Sequence, residues 1–274
     1  MDIQSKFVQV DGLRTHYLSA GAGSPMVLVH GGGPGTDSQD NWSACIPGLA
    51  RHFTVYAPDC IGFGRSDKPD PDRYEYSQGA RTRQIAGFIE ALGLGAVALV
   101  GNALGGAVAV GTTIERPDLV SKLVINGALG VARSPGERGA ARQYLPSREV
   151  SRENIAAFVR MCTDEKRDIA AEVEYRYQLM QQAGAVPAYD AAQAWVSSHG
   201  GVDYEDSAIA GIMQPTLVVW AKHNRVTSFD LGLRFMELIP NSRLYVIPNC
   251  GHWTMVMRPD EFVRITTEFV QHVA

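Results

Sequence analysis

Ala96 to Ile114 reads AVALVGNALGGAVAVGTTI, and the fold turns on how that stretch is taken. Val97 to Val100 form a short apolar run with β-branched residues, stopped by Gly101, which is the pattern of a buried strand. Ala103 to Ile114 predict a helix, with Val108, Gly111 and Thr112 recurring at helical spacing on a face of small residues. Between them, Gly101-Asn102-Ala103-Leu104-Gly105 has the form of a nucleophile elbow. In such an elbow a strand turns abruptly into a helix, one strained residue stands at the apex, and glycines two places either side let the backbones pass closely. The apex wants a serine. Ala103 puts a methyl group there, which can neither attack a carbonyl nor relay a proton. Taken alone, Gly-x-Ala-x-Gly reads as a tight strand-to-helix turn and no more; the residues elsewhere in the chain change that.

Upstream of this stretch, Asp11-Gly12 is a hairpin turn signal between Phe7 to Val10 and Thr15 to Ser19, so the chain opens with two antiparallel strands. Met26 to Val29 predict a short buried strand that runs into His30-Gly31-Gly32-Gly33-Pro34-Gly35. A loop of this kind leaves backbone N–H groups uncovered and can supply half of an oxyanion hole; no Gly-Lys-Ser/Thr follows, which argues against a phosphate cradle. His30 reads as structural, hydrogen-bonded at its strand end. Thr54 to Ala57 predict the next strand, and Ile85, Phe88, Ile89 and Leu92 share one face of a helix stopped by Gly93.

Downstream, Lys122 to Asn126 predict another strand, Thr216 to Trp220 and Leu244 to Ile247 two more, and Pro259 opens a closing helix bearing Phe262, Ile265, Phe269 and Val273. Strands alternating with helices imply a mostly parallel sheet covered on both faces. From about 131 to 206 strand character vanishes. Ser151 and Thr163 or Asp164 look like helix N-caps, and Ile169, Val173, Tyr177 and Met180 share a helical face as far as Gly184. This segment reads as a helical lid inserted into a core made of 1–130 and 207–274.

The bulk composition points to a small-molecule partner. Across 274 residues, 25 basic side chains balance 29 acidic ones, so there is no electrostatic footprint for nucleic acid or an anionic membrane. No stretch is long and apolar enough for a membrane span, and the N-terminus lacks a signal-peptide core. Cys45, Cys60, Cys162 and Cys250 are widely spaced, which argues against a disulfide framework or a zinc site and for a reducing, cytoplasmic setting. No metal or other cofactor is expected.

A nucleophile needs a base, and the base an orienting group. On this fold the order is nucleophile, acid, histidine. His252, in Cys250-Gly251-His252-Trp253, stands in the loop after the last strand, where that order places the base. The acid should follow the Thr216 to Trp220 strand, and the residue there is Asn224. An asparagine cannot stabilise an imidazolium and could favour the wrong tautomer; in serine proteases that swap costs about 10⁴ in turnover. Asp203, Asp206 and Asp230 are the carboxylates that could stand in.

With these residues in view, the chain resembles the α/β-hydrolase superfamily. Within it the chain is similar to the meta-cleavage-product hydrolases, which split carbon–carbon bonds in 2-hydroxy-6-oxo-dienoates produced by aromatic ring fission. The resemblance is carried by His30 to Gly35 with Asn41-Trp42, the Gly101-Asn102-x-x-Gly105-Gly106 elbow, Arg176-Tyr177 and Gly251-His252-Trp253, and it breaks at Ala103 and Asn224. It implies an eight-stranded sheet, His252 as proton shuttle, Arg176 and Asn102 on the polar end of a dienoate, and Gly31, Asn41 and Trp253 around the pocket. It also implies an oxyanion hole of the Gly32 and Leu104 amides and, by analogy, a homodimer. Met161, Tyr175, Met180 and Trp195 are expected as apolar lid contacts. The function this favours is a carbon–carbon bond hydrolase whose serine has been replaced by alanine; the alternatives are a cofactor-independent tautomerase, lyase or oxygenase using His252 as base, and a silent small-molecule-binding protein.

Overall fold

A computed structural model of the chain describes residues 2–132, 150–163 and 167–273. Eight strands, β1 (Gln4–Val10), β2 (Leu13–Ala20), β3 (Pro25–Val29), β4 (Thr54–Pro58), β5 (Val97–Asn102), β6 (Val120–Asn126), β7 (Thr216–Ala221) and β8 (Ser242–Ile247), form one sheet in the order β1-β2-β4-β3-β5-β6-β7-β8. β1 pairs antiparallel with β2 and β2 with β4, and every later pairing is parallel. The sheet is therefore mostly parallel, with β5 near its centre, as the alternation of strand and helix predicted.

Side-chain alternation divides the core. Met26 and Leu28 on β3, with Ala98 and Val100 on β5, face one way and pack with Trp42, Phe262, Ile265 and Phe269. Val27, Val29, Val97 and Leu99 face the other way, against Ile85, Phe88, Ile89, Val108 and Val110. The strands of the parallel part read as unbroken apolar runs because both faces are covered.

Two short helices, α1 (Ser38–Trp42) and α2 (Ile46–Leu49), follow the glycine-rich loop after β3. Next come α3 (Gln78–Ala91), capped by the Ser77 side chain on Ala80 N, and α4 (Leu104–Glu115), whose residues Gly105 to Thr113 are all buried. Between β6 and β7 lie α5 (Arg152–Cys162), α6 (Ala170–Met180), α7 (Ala185–Ser198) and the short α8 (Asp206–Ala210). The chain closes with α9 (Phe229–Leu238), α10 (Thr254–Met257) and α11 (Pro259–His272). Ser151 caps α5 by accepting from Asn154 N. Thr163, expected as an N-cap, instead ends α5, its hydroxyl donating to Val159 O; Asp164 and residues 133–149 of the expected lid lie outside the described residues. Gly184, expected as the stop of α6, is the left-handed residue from which α7 starts.

Among the described residues no helix is long and apolar enough to cross a membrane, and no three His, Cys, Asp or Glu gather as metal ligands. All four cysteines are buried and unpaired with one another.

Candidate active site

The site begins with strain. Ala103 sits at φ 52°, ψ −113°, a conformation that costs a non-glycine residue about 1–3 kcal/mol. The neighbouring backbone enforces it. A Cβ on Gly101 would come within 2.2 Å of Gly105 O, and one on Gly105 within 2.3 Å of His30 O, so strand and helix cross at a distance only glycine permits. Ala103 N donates to Asn126 O at 3.0 Å, and Ala103 O accepts from Ala107 N and Leu129 N. The apex is held as though for a functional side chain, and it carries a methyl.

The imidazole expected as the base is held just as firmly. His252, 2% exposed, directs Nδ1 at Asn224 Oδ1, 3.2 Å away. That Asn224 atom is oxygen because Val226 N and Thr227 N also donate to it, at 3.0 and 2.9 Å. The amide nitrogen donates to Thr227 Oγ1, which in turn donates to Gly127 O. Each bond in this chain has one donor and one acceptor. His252 must then carry its proton on Nδ1 and present Nε2 as the basic nitrogen, so the expectation that asparagine would favour the wrong tautomer fails on the geometry. Asp206 is paired with Arg234, Asp230 accepts from Ser228, and it is Asn224 that His252 meets. Burial pushes the His252 imidazole down to about 3.

Gly127, which the sequence reading passed over, makes room for this pair. It has φ +50°, and a Cβ there would stand 3.0 Å from His252 Nδ1 and 3.1 Å from Asn224 Nδ2. The signal was available in the glycine immediately after β6. Its meaning depended on two loops about a hundred residues away.

Ala103, Leu104, Gly31, Gly32, Asn41, His252 and Trp253 line one cavity. The amides of Gly32 and of Leu104, the first residue of α4, make no hydrogen bond among the described residues. The Gly31 amide is different, since it donates to Asn41 Oδ1. Asn102 does not line the cavity. Its Nδ2 donates to Asn41 Oδ1 and its Oδ1 accepts from Asn126 Nδ2, while Thr254 closes the row on Asn126 Oδ1. This buried amide ladder fixes Asn41 from behind.

Arg176 departs furthest from expectation. It is fully buried on α6, and its guanidinium pairs with Asp40 through Nε at 3.0 Å and through Nη2. Its Nη1 donates to Pro34 O and to Thr36 Oγ1, and the group lies 4.5 Å over the Trp253 ring. It stands behind the cavity wall. The apolar side of the cavity comes from Phe158 on α5, Tyr189 and Val196 on α7, Leu129 and Val202. Of the expected lid contacts, Tyr175 instead donates to Asp37, Trp195 stacks on His199, Met161 packs against the core, and Met180 lines a smaller recess beside Tyr189. His30 is structural: its Nε2 accepts from Cys60 N and its Nδ1 meets Gly31 O.

A glycine-built elbow, an imidazole from the last loop and two unpaired amides around one cavity define an esterase-like or hydrolase-like centre. Residues 24–259 match the model of the alpha/beta hydrolase fold family. The chain is 36% identical, over 98% of its own length and 91% of the relative's, to 2-hydroxy-6-oxo-6-(2'-aminophenyl)hexa-2,4-dienoic acid hydrolase of Metapseudomonas resinovorans. It is 32% identical to 2-hydroxy-6-oxo-2,4-heptadienoate hydrolase of Pseudomonas putida, covering 97% of the chain and 95% of that protein. Among solved structures, a serine hydrolase of carbazole degradation superposes with a TM-score of 0.88 at 36% identity, covering 98% of this chain and 99% of that one. A meta-cleavage product hydrolase of Pseudomonas fluorescens, solved as a serine-to-alanine mutant with acetates bound, gives 0.87 at 29% identity, covering 98% of both chains. The chain belongs to the α/β-hydrolase family, in the branch of the meta-cleavage product hydrolases, whose characterised members cleave carbon–carbon bonds.

Proposed function

We propose that this chain uses the frame of the carbon–carbon bond hydrolases for proton transfer on an enol or enolisable ketone of the ring-fission type, without an acyl-enzyme. The observation that carries this reading is the pairing of His252 with Asn224. Nδ1–H is spent on Oδ1, so Nε2 is left as the base in a cavity whose apex, Ala103, has no oxygen to activate. His252 by itself is a weak base, because burial disfavours the imidazolium. Moving a proton off the substrate creates an enolate at the same moment. The Gly32 and Leu104 amides hold that oxygen, and its charge compensates the imidazolium a few ångströms away. Returning to carbon the proton taken from the enol oxygen, or to oxygen the one taken from the α-carbon of a ketone, completes the tautomerisation.

A second reading is favoured by the strain at Ala103. An alanine gains nothing from φ 52°, so the conformation suits a nucleophile, and the hydrolase would be regained by Ala103→Ser. Product analysis separates the two. The chain and Ala103→Ser are each mixed with a 2-hydroxy-6-oxo-dienoate and with its methyl ester, and the dienolate absorbance and the products are followed. The proposal expects the alanine form to yield the keto tautomer with the carbon skeleton intact. Binding without conversion would make the chain a receptor and overturn it. A gain of hydrolysis by about 10³ or more in Ala103→Ser, with an inert alanine form, would establish the second reading.

A further inference from the structure

Arg176 is a buried cation one side chain away from the cavity. Its Nη1 holds Thr36 Oγ1 at 2.8 Å and its guanidinium lies over Trp253, and both Thr36 and Trp253 line the cavity wall. A guanidinium in that place is the natural partner of a ligand carboxylate, because its planar fork matches two carboxylate oxygens. The chain supplies that carboxylate itself. Asp40, with a side chain 4% exposed, takes Nε and Nη2 in a forked pair and is further fixed by Asn41 Nδ2 at 3.0 Å. Among the described residues that line the cavity there is no Lys, Arg, Asp or Glu.

The opposite, lid end of the cavity carries a different kind of signal. Tyr189 is 3% exposed and its buried hydroxyl makes no hydrogen bond of good geometry, with Gln193 on the next turn of α7 near enough to interact with it only weakly. A buried hydroxyl left unpaired costs free energy, so a ligand group that pairs with it gains that amount back. A neutral carbonyl or hydroxyl does so without bringing a charge into an uncharged cavity.

From these two observations we infer that the cavity selects an uncharged ligand, with an enolisable carbonyl at the Gly32 and Leu104 amides and a second neutral polar group at Tyr189, Asp40 having withdrawn Arg176 from service to a carboxylate. The relatives named above act on dienoates, which are acids. Asp40 would therefore turn this cavity away from acids of that kind. The inference rests on the proton-transfer reading for the role of the enolisable carbonyl. Charge selectivity is read from binding alone, so each can fail without the other.

The test is calorimetric titration with a pair matched except for charge, methyl benzoylacetate and benzoylacetate, into the chain, Asp40→Asn and Tyr189→Phe. In the unaltered chain the ester should bind at least about tenfold more tightly than the acid, the usual scale for a charge buried without a partner. Asp40→Asn keeps the shape but leaves the guanidinium uncompensated, and it should tighten the acid by a similar factor while the ester is unchanged. Tyr189→Phe should weaken the ester severalfold with no loss in melting temperature. Equal affinities, tighter binding of the acid or no binding of the ester in the unaltered chain would overturn the proposal. Should Asp40→Asn misfold, the comparison within the unaltered chain decides by itself. If the ester binds selectively yet exchanges no α-hydrogen with solvent, the proton-transfer reading falls and charge selectivity stands.

Discussion

At the scale of single residues, His252 and Asn224 decide what the site can do. Asn224 gives the imidazole orientation and tautomer but no countercharge, so the folded pKa stays near 3. Asn224→Asp would add the charge where two backbone amides already point at the accepting oxygen, which favours an ionised carboxylate. The His252 pKa should then rise toward its ordinary range. A rate that depends on neutral imidazole is expected to be flat above about pH 5 in the unaltered chain. In Asn224→Asp it should gain an acid limb nearer neutrality, and a pH–rate profile of the two forms checks this. Gly127→Ala forces a side chain into φ +50° and onto the His252 ring. It should cost about 1–3 kcal/mol of stability and most of the activity, read by denaturant titration and turnover.

Elements show how the sequence fixes some parts of the site and not others. The elbow was legible because its geometry is local: two glycines, a strand before, a helix after. Gly105→Ala would drive a Cβ into the carbonyls of Val29 and His30, backbone atoms that cannot step aside, and soluble yield should collapse. Ser77→Ala removes only the cap of α3 and should cost about 1 kcal/mol in thermal or chemical denaturation. The positions of His252 and Asn224 after their strands were legible for the same reason, from order along the chain. What Arg176 and Asn102 touch was not. Asp40 and Asn126 lie 136 and 24 residues from them, and nothing local marks either as the partner that would occupy the group. Likewise the periodicity that gave α6 stopped at Gly184, and nothing local in α7 marks which of its turns faces the cavity, so Tyr189 and Val196 were missed while Trp195 was named.

For the whole molecule, the sheet brings loops from opposite ends of the chain to the C-terminal edge of β5, and the helices between β6 and β7 cover them. Burial of an uncompensated imidazole has a global consequence. The folded pKa of His252 lies below its unfolded value of about 6.5, so the unfolded chain binds the proton more readily between the two. Stability from this group is complete above about pH 6.5 and is lost progressively as pH falls toward 3. His252→Gln should remove that part of the acid sensitivity, seen as a smaller drop in melting temperature between pH 7 and pH 5. The most direct test of proton transfer from this cavity is deuterium uptake, by NMR, at the α-carbon of methyl benzoylacetate in heavy water. The chain should catalyse the exchange, and His252→Gln should lose about 10²–10⁴ of the rate while still binding the ester. Exchange that persists unchanged in His252→Gln, or an unaltered chain that binds the ester and exchanges nothing, would contradict it.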